Sequence, residues 1–139
     1  MTSRSDVIAS LVDLLNEGPT EFAWTKVQKY SENAAANADV PFCLIHEGKE
    51  RYDHIDTSPN YRRRLTVMIE AWTESDTLTE DRSVTAANLL DILEGCIEGD
   101  RSIGGDAIYT DLISNEVFTA SEQEPSIGVF LEISIWYNN

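Results

Sequence analysis

The last stretch of the chain, residues 127–137, constrains the fold most. Every odd position in it is apolar, whereas the even positions hold glycine, glutamate and serine beside two aromatic residues, Phe130 and Trp136. A period of two sustained over this length is typical of a β-strand with one face against a core. The pattern therefore predicts a sheet. The two aromatic side chains on the outer face of this strand need cover from a helix or from another subunit.

Two segments show helical periodicity instead. In the first, apolar residues recur at positions 7, 8, 11, 14 and 15, between a predicted N-cap at Ser5 and a stop at Gly18-Pro19. The second runs to Gly99, and its apolar side is formed by Ala86, Leu89, Leu90, Leu93 and Ile97. Both patterns predict amphipathic helices that lie on another layer of structure.

The remaining segments predict strands. Three are expected between the helices, over residues 22–30, 40–47 and 61–72, with a polar loop at 48–60. After the second helix, a turn at Gly104-Gly105 needs positive φ, and residues 108–118 should pair with the last strand as an antiparallel hairpin. This order predicts a single α+β domain over residues 1–139, with one mixed or mostly antiparallel sheet of four to five strands and two amphipathic helices packed on it.

The charge is strongly acidic and unevenly distributed. The chain has 10 basic and 25 acidic residues, a net charge of −15, and residues 65–139 contain only two basic residues, Arg82 and Arg101. Contact with a phosphate backbone requires Lys and Arg, so this balance disfavours ordinary nucleic-acid binding. It is compatible with solubility alone, with a basic partner, or with a surface that repels nucleic acid. No apolar stretch is long enough for a membrane span, so we expect no membrane partner.

No pattern of catalytic or metal-binding residues stands out. His46 and His54 have no third ligand at a metal-binding spacing, and Cys43 and Cys96 form no CxxC pair. The cysteines lie on apolar faces and are expected to be reduced core thiols. No serine lies in a G-x-S-x-G elbow. We therefore expect a protein that is not an enzyme and that needs no cofactor or metal ion.

The order of elements resembles the tail terminator proteins of long-tailed bacteriophages, also described as tail completion or minor tail protein U-like proteins. The resemblance rests on five features: the N-terminal helix around residues 8–15, the strand at 64–69, the helix at 86–93, the turn at 100–106 and the terminal strand at 128–137. It covers nearly the whole chain, as a pattern of elements rather than as an invariant motif.

The resemblance implies a structural role in the virion tail, for a protein made in the cytoplasm of the host bacterium. Such proteins form a hexameric ring on the head-proximal end of the tail tube, where they stop tube polymerisation and present a surface to the head completion or connector protein. The partners implied are further copies of the chain, the tail tube protein and the head completion protein. Genome DNA would pass through the ring without specific binding, and no catalytic residue or cofactor is implied.

Two groups of residues are candidates for these contacts. A closed ring needs two different, complementary patches on each subunit. The candidates for the subunit interface are Arg62, Arg63, Arg64, Phe130 and Trp136. The arginines are expected to form ion pairs within or between subunits rather than to bind nucleic acid. The candidates for lining an acidic channel, which could instead coat the outside, are Glu74, Asp76, Glu80, Asp81, Asp91, Glu94 and Glu98.

Three other interpretations remain open from the sequence. One is another phage neck or head-completion protein of similar fold. Another is a monomeric acidic binding module that mimics nucleic acid and occupies the basic site of a DNA-binding protein. The third is a small enzyme with a diffuse carboxylate site, which two carboxylates of strongly perturbed pKa in one pocket would favour. Native mass separates a ring from a monomer of 15.6 kDa.

Overall fold

The structure, a computed structural model, describes residues 2–17, 24–32, 40–54, 61–74, 82–119 and 126–138. The elements in chain order are α1 (Arg4–Glu17), β1 (Lys26–Lys29), β2 (Phe42–His54), β3 (Tyr61–Glu74), α2 (Arg82–Gly99), β4 (Tyr109–Thr119) and β5 (Ser126–Asn138). The five strands form one sheet in the order β1-β2-β3-β5-β4, in which β1 and β2 are parallel and the other neighbours antiparallel. The predicted fold class, an α+β fold with a mixed sheet and two helices, is confirmed.

Both helices pack on one face of this sheet, which we call the helix face. The odd residues of β3 and β5 lie there, and those from Leu65 to Ala71 and from Ile127 to Tyr137 are almost completely buried. The predicted apolar sides of α1 and α2 close the same core, through Val7, Ile8, Leu11 and Leu15 from α1 and Ala86, Leu89, Leu90, Leu93 and Ile97 from α2. Neither described helix is long and apolar enough to cross a membrane. The even residues of β3 and β5 form the opposite face, which we call the open face.

The N-terminal helix begins at a different cap from the predicted Ser5. The backbone N–H of Asp6 donates to Ser3 Oγ at 3.1 Å, and Asp6 Oδ2 accepts from the Ser3 backbone N–H at 3.0 Å. Two otherwise unsatisfied backbone donors are thus paired reciprocally, as in a capping box. The prediction of Ser5 as N-cap is therefore wrong, because Ser3 has the side-chain partner three residues ahead.

The second strand is longer than the sequence predicted. The polar stretch after residue 47 was expected to be a loop, yet β2 continues to His54 by way of a β-bulge between Glu47 and Glu50. A Cβ atom on Gly48 would lie 2.8 Å from the Thr66 carbonyl oxygen, so the close approach of the strands requires glycine there. Because the bulge adds one residue, it places Glu47 and Glu50 on the helix face together, opposite Val67 and Leu65.

The turn after α2 sets the position of the last two strands. Gly104 and Gly105 have φ values of 66° and 89°, which confirms the predicted positive φ. The Asp100 carboxylate accepts backbone hydrogen bonds from Ser102 and Gly104, at 3.1 and 2.8 Å. The predicted antiparallel hairpin of β4 and β5 is confirmed, and β5 also pairs along its whole length with β3. The last strand is therefore an interior strand, and β1 and β4 form the edges of the described sheet.

Candidate functional site

The open face carries large side chains that the described part of the chain leaves partly in solvent. Met68 is 39% exposed, Tyr109 44% and Phe118 40%. Because α1 and α2 both lie on the helix face, neither helix covers them. Several large aromatic and apolar side chains exposed on the same face of a sheet suit that face to contact with another molecule. The open face is therefore the candidate functional surface.

One end of the sheet holds three arginines and two aromatic rings, which we call the arginine–aromatic cluster: Arg62, Arg64, Arg101, Tyr109 and Trp136. The guanidinium carbon of Arg64 lies 5.2 Å from the centre of the Trp136 ring, and that of Arg101 lies 5.2 Å from the centre of the Tyr109 ring. Strand register brings them together, since Trp136 is opposite Arg64 on one side and opposite Tyr109 on the other. Cation–π contacts of this kind contribute about 0.5–1 kcal/mol at exposed sites.

A cavity of about 270 Å³ lies beside the two rings, lined by Arg62, Ile108, Tyr109, Asp111 and Trp136. Neither Arg62 nor Arg64 forms an ion pair with a carboxylate among the described residues. A guanidinium group binds a carboxylate through two parallel hydrogen bonds and also stacks on aromatic rings. The cluster can therefore bind an acidic segment of another surface, with the aromatic rings as its apolar wall.

Arg63 has a different environment from its two neighbours. Strand alternation turns it to the helix face, where its Nη1 lies 3.6 Å from Glu50 Oε2 and its guanidinium carbon 4.8 Å from the centre of the Tyr52 ring. Glu50 also lies 3.6 Å from Arg4 Nη1 and accepts a hydrogen bond from the Tyr137 hydroxyl. Of the three predicted interface arginines, Arg63 thus pairs within the subunit, and Arg62 and Arg64 belong to the cluster.

The two glutamates at the bulge link five elements of the fold. Glu47 Oε1 accepts a hydrogen bond from Arg4 Nε at 2.8 Å, and its other oxygen contacts Lys29 Nζ. Burial acts to raise the pKa of Glu47, but the hydrogen bonds and charges of Lys29 and Arg4 outweigh it and lower the pKa overall. Burial, followed by the hydrogen bond to Glu50, raises the pKa of Tyr137 to about 12. These groups and Arg63 stabilise α1, β1, β2, β3 and β5 against each other.

Phe130, the other predicted aromatic candidate, belongs to a row of rings that crosses the open face, here called the aromatic row: Tyr30, His46, Phe130 and Phe118. The ring centres are 4.3 Å apart between Tyr30 and His46, 6.4 Å between His46 and Phe130, and 4.8 Å between Phe130 and Phe118. The row was not recognised in the sequence, because its members lie in four different strands or strand ends. It reaches both edges of the sheet, where Tyr30 is 42% and Phe118 40% exposed.

His46 is held by a carboxylate. His46 Nε2 lies 2.7 Å from Glu70 Oε1, and Trp72 Nε1 donates to Glu70 Oε2 at 2.6 Å. In the ranges that the structure describes, no three His, Cys, Asp or Glu side chains are grouped so that they could hold a metal ion. Cys43 and Cys96 are free and buried, as predicted, and burial raises the pKa of both thiols.

The predicted channel carboxylates lie on two different surfaces. Glu74 is exposed at the end of β3, on the open face, whereas Asp91, Glu94 and Glu98 lie on α2, beyond the helix face. Asp76, Glu80 and Asp81 lie outside the described residues. Because the sheet separates the open face from α2, one channel wall can include Glu74 or the α2 carboxylates but not both. The assignment of these residues to a channel stays a prediction.

Comparisons with known proteins find structural similarity but no match to a protein family or to a curated protein. No protein-family profile matches the chain, and no curated protein matches it. Among solved structures, a chain from the virion of a native gene transfer agent (GTA) particle is similar to it, with 7% sequence identity, 99% of this chain and 96% of that chain covered, and a TM-score of 0.46. A similarity of this size assigns neither a family nor a role.

Proposed function

We propose that this chain is a structural protein of a phage-like virion, copies of which form a ring at the head-proximal end of the tail tube. The ring ends tube polymerisation and gives the head its joining surface, while genome DNA passes through it without specific binding. The chain performs no catalysis in this role. Its partners are further copies of itself, the tail tube protein and the head completion protein.

The arginine–aromatic cluster carries this proposal. Arg62 and Arg64 lack carboxylate partners in the described part of a chain that carries 25 acidic residues. A contact between the cluster and an acidic patch of the next copy joins two different surfaces, so it is heterologous and produces a ring or a filament rather than a two-fold dimer.

The order of elements supports the same role. The features that carried the resemblance to tail terminator proteins are present as α1, β3, α2, the turn at 100–106 and β5. The net charge of −15 per chain also suits a ring around DNA, since like charges let the polyanion pass without adhesion. Copies of such a chain repel each other at low ionic strength, so we expect ring closure to become easier as salt screens the charges.

The test is to mix the purified protein with tail tubes and to observe the tube ends by electron microscopy, with native mass measured in parallel. We expect rings at one end of the tubes. Arg64→Gln should reduce binding at least tenfold, because a central arginine of an interface contributes about 2 kcal/mol or more. Lys49→Gln, which removes an exposed cation at the bulge, is the matched control and should leave binding unchanged.

Two results would overturn the proposal. The first is a protein that stays at 15.6 kDa and does not bind tube ends. The second is capture of basic proteins by that monomer, which would favour the acidic binding module. If Lys49→Gln weakened ring assembly as much as Arg64→Gln does, the net charge of the chain, and not the arginine–aromatic cluster, would decide whether the copies hold together.

The position of the carboxylates gives a test of the channel. Asp91→Asn with Glu98→Gln neutralises the surface of α2, whereas Glu74→Gln neutralises the open face. If α2 lines the channel, the first variant should slow DNA ejection and the second should not, and the reverse holds if the open face lines it. Unchanged ejection in both variants would eliminate the idea of an acidic channel wall.

A further inference from the structure

The strand β4 lies at the edge of the described sheet and carries apolar side chains. Its outer N–H and C=O groups have no partner strand in the described sheet. A bulge between Leu112 and Ser114 interrupts the ladder, so residues 114–119 form the regular part of the edge. This part contains Val117, 45% exposed, and Phe118, 40% exposed, and it contains no Lys, Arg or Pro. Edge strands normally carry Lys, Arg or Pro, which prevent pairing with another chain. Because residues 114–119 contain none of these, this edge is suited to pairing.

The opposite edge of the sheet is complementary to β4 in charge. β1 carries Lys26 and Lys29 and no acidic residue, whereas residues 114–119 carry Glu116 and no basic residue. Lys29 contacts Glu47 within the subunit, but Lys26 forms no ion pair with any described residue. Val27 of β1 belongs to the core below α1. Among the described residues, β1 therefore offers one unpaired cation, Lys26, on the open face and an apolar residue, Val27, on the helix face.

The strand directions also fit. β1 is parallel to β2, and the three further pairings across the sheet are antiparallel, so β4 runs opposite to β1. Copies arranged around a ring keep the same direction along its axis. When the β4 edge of one copy meets the β1 edge of the next, the two strands are therefore antiparallel, which is the more stable ladder.

We propose that β4 of one copy pairs with β1 of the next copy, so that the sheet continues from subunit to subunit; this rests on the ring assembly proposed above. The register follows from the sheet itself. Lys26, Phe42, Trp72, Gly128 and Phe118 lie in one row across the five strands. We take the strands to run along the ring axis. Neighbouring copies in a ring are not displaced along that axis, so the row then meets itself in the next copy without stagger.

This register places Phe118 opposite Lys26 and Val117 opposite Val27 of the next copy. The exposed Val117 is then covered on the helix face by an apolar neighbour. Glu116 is diagonal to Lys26 on the open face, within reach of its long side chain. If residues 114–119 instead paired with themselves about a two-fold axis, with their faces matched, the two Glu116 carboxylates would be opposite or diagonal to each other, which is unfavourable. Charge therefore favours pairing of β4 with β1 of the next copy over pairing of two β4 strands.

The test is disulfide trapping with Lys26→Cys and Phe118→Cys in one chain. Within a subunit these positions lie on opposite edges of five strands, about 19 Å apart at about 4.8 Å per strand spacing. A disulfide needs Cα atoms within about 7 Å, so it can form only between copies. We expect a ladder of covalent oligomers on non-reducing gels after mild oxidation, with and without tail tubes. The native cysteines are buried and should not compete.

Three control variants decide the outcome. Lys26→Cys alone and Phe118→Cys alone should give no ladder, and neither should Lys26→Cys with Ile113→Cys, which is displaced by five residues, about 17 Å along the strand. Covalent dimers of Phe118→Cys alone would overturn the proposal in favour of a two-fold β4 pair, and equal ladders from the displaced pair would overturn the register.

The same experiment separates this inference from the proposed function. Rings on tube ends without crosslinks between positions 26 and 118 would refute the strand pairing and leave the ring standing. A covalent ladder from a protein that never binds tube ends would support the strand pairing and refute the tail role.

Discussion

Replacement of Tyr137 by phenylalanine tests the buried link between the last strand and the bulge of β2. Tyr137 is fully buried, and its hydroxyl donates a hydrogen bond to Glu50, which also faces Arg4 and Arg63. Burial first, and then the hydrogen bond to Glu50, raise the pKa of Tyr137 from 10.0 to about 12. A raised pKa of this size means that the fold favours the protonated hydroxyl by on the order of 2 kcal/mol.

The sign of the pH dependence follows from this shift. The unfolded chain releases the Tyr137 proton near pH 10.0, whereas the folded chain keeps it until about pH 12. The stability that Tyr137 provides is therefore fully present below pH 10 and is lost as the pH rises towards 12. At pH 8, Tyr137→Phe removes a hydrogen bond to a charged acceptor and should lower the free energy of unfolding by about 1.5–3 kcal/mol. Between pH 10 and 12 this difference should shrink by about 1.4 kcal/mol per pH unit.

Urea unfolding followed by tryptophan fluorescence at pH 8, 10 and 11 measures this difference. Tyr30→Phe removes the hydroxyl of a tyrosine that is 42% exposed and serves as the control. Its free energy of unfolding should stay within about 0.5 kcal/mol of the parent chain at pH 8. A difference between the parent chain and Tyr137→Phe that stays constant from pH 8 to 11 would refute the assignment of a protonated, hydrogen-bonded Tyr137 hydroxyl.

The remaining predictions concern packing, acid stability and thiol reactivity. Gly128→Ala should destabilise the fold by about 1–3 kcal/mol in thermal or urea unfolding, because its Cβ would lie 2.7 Å from the Trp72 ring. Gly95→Ala should stabilise the fold by about 0.5–1 kcal/mol, because Gly95 lies within α2 with open space around it. Glu47→Gln should cost about 1 kcal/mol at pH 7, since Arg4 and Lys29 remain partly solvated. The pKa of Glu47 is lowered in the folded chain, so the stability that Glu47 provides is present above the ordinary pKa of 4.5 and is lost as the pH falls through the folded value. The difference in free energy of unfolding between the parent chain and Glu47→Gln should therefore narrow in acid. A difference that widens in acid would contradict this. Cys43, whose pKa burial raises, should react with a thiol reagent only as fast as the chain unfolds; rapid labelling in the absence of urea would show an accessible thiol.

The sequence indicated which residues would lie in one sheet face but not which strands would be neighbours. Alternation along residues 127–137 and 61–72 follows from the period of two in an extended chain, so it is visible without any partner strand. The pairing of β5 with both β3 and β4 depends on contacts between residues far apart in the chain. The extension of β2 to His54 was not predicted because the bulge at Gly48 interrupts the alternation that identifies a strand, and this part of β2 is recognised only by its pairing with β3.

The candidate site divides in the same way. The sequence by itself determined two amphipathic helices, an α+β fold, a strongly acidic chain, and the placement of Phe130 and Trp136 away from the core, because these follow from local spacing and composition. Only the tertiary structure separated Arg63, paired with Glu50, from Arg62 and Arg64. Only it formed the aromatic row and placed β4 at the edge of the described sheet. The physical reason is that an ion pair, a ring contact or an unpaired edge depends on which strands lie side by side, and strand order is set by packing over the whole core rather than by neighbours in the sequence.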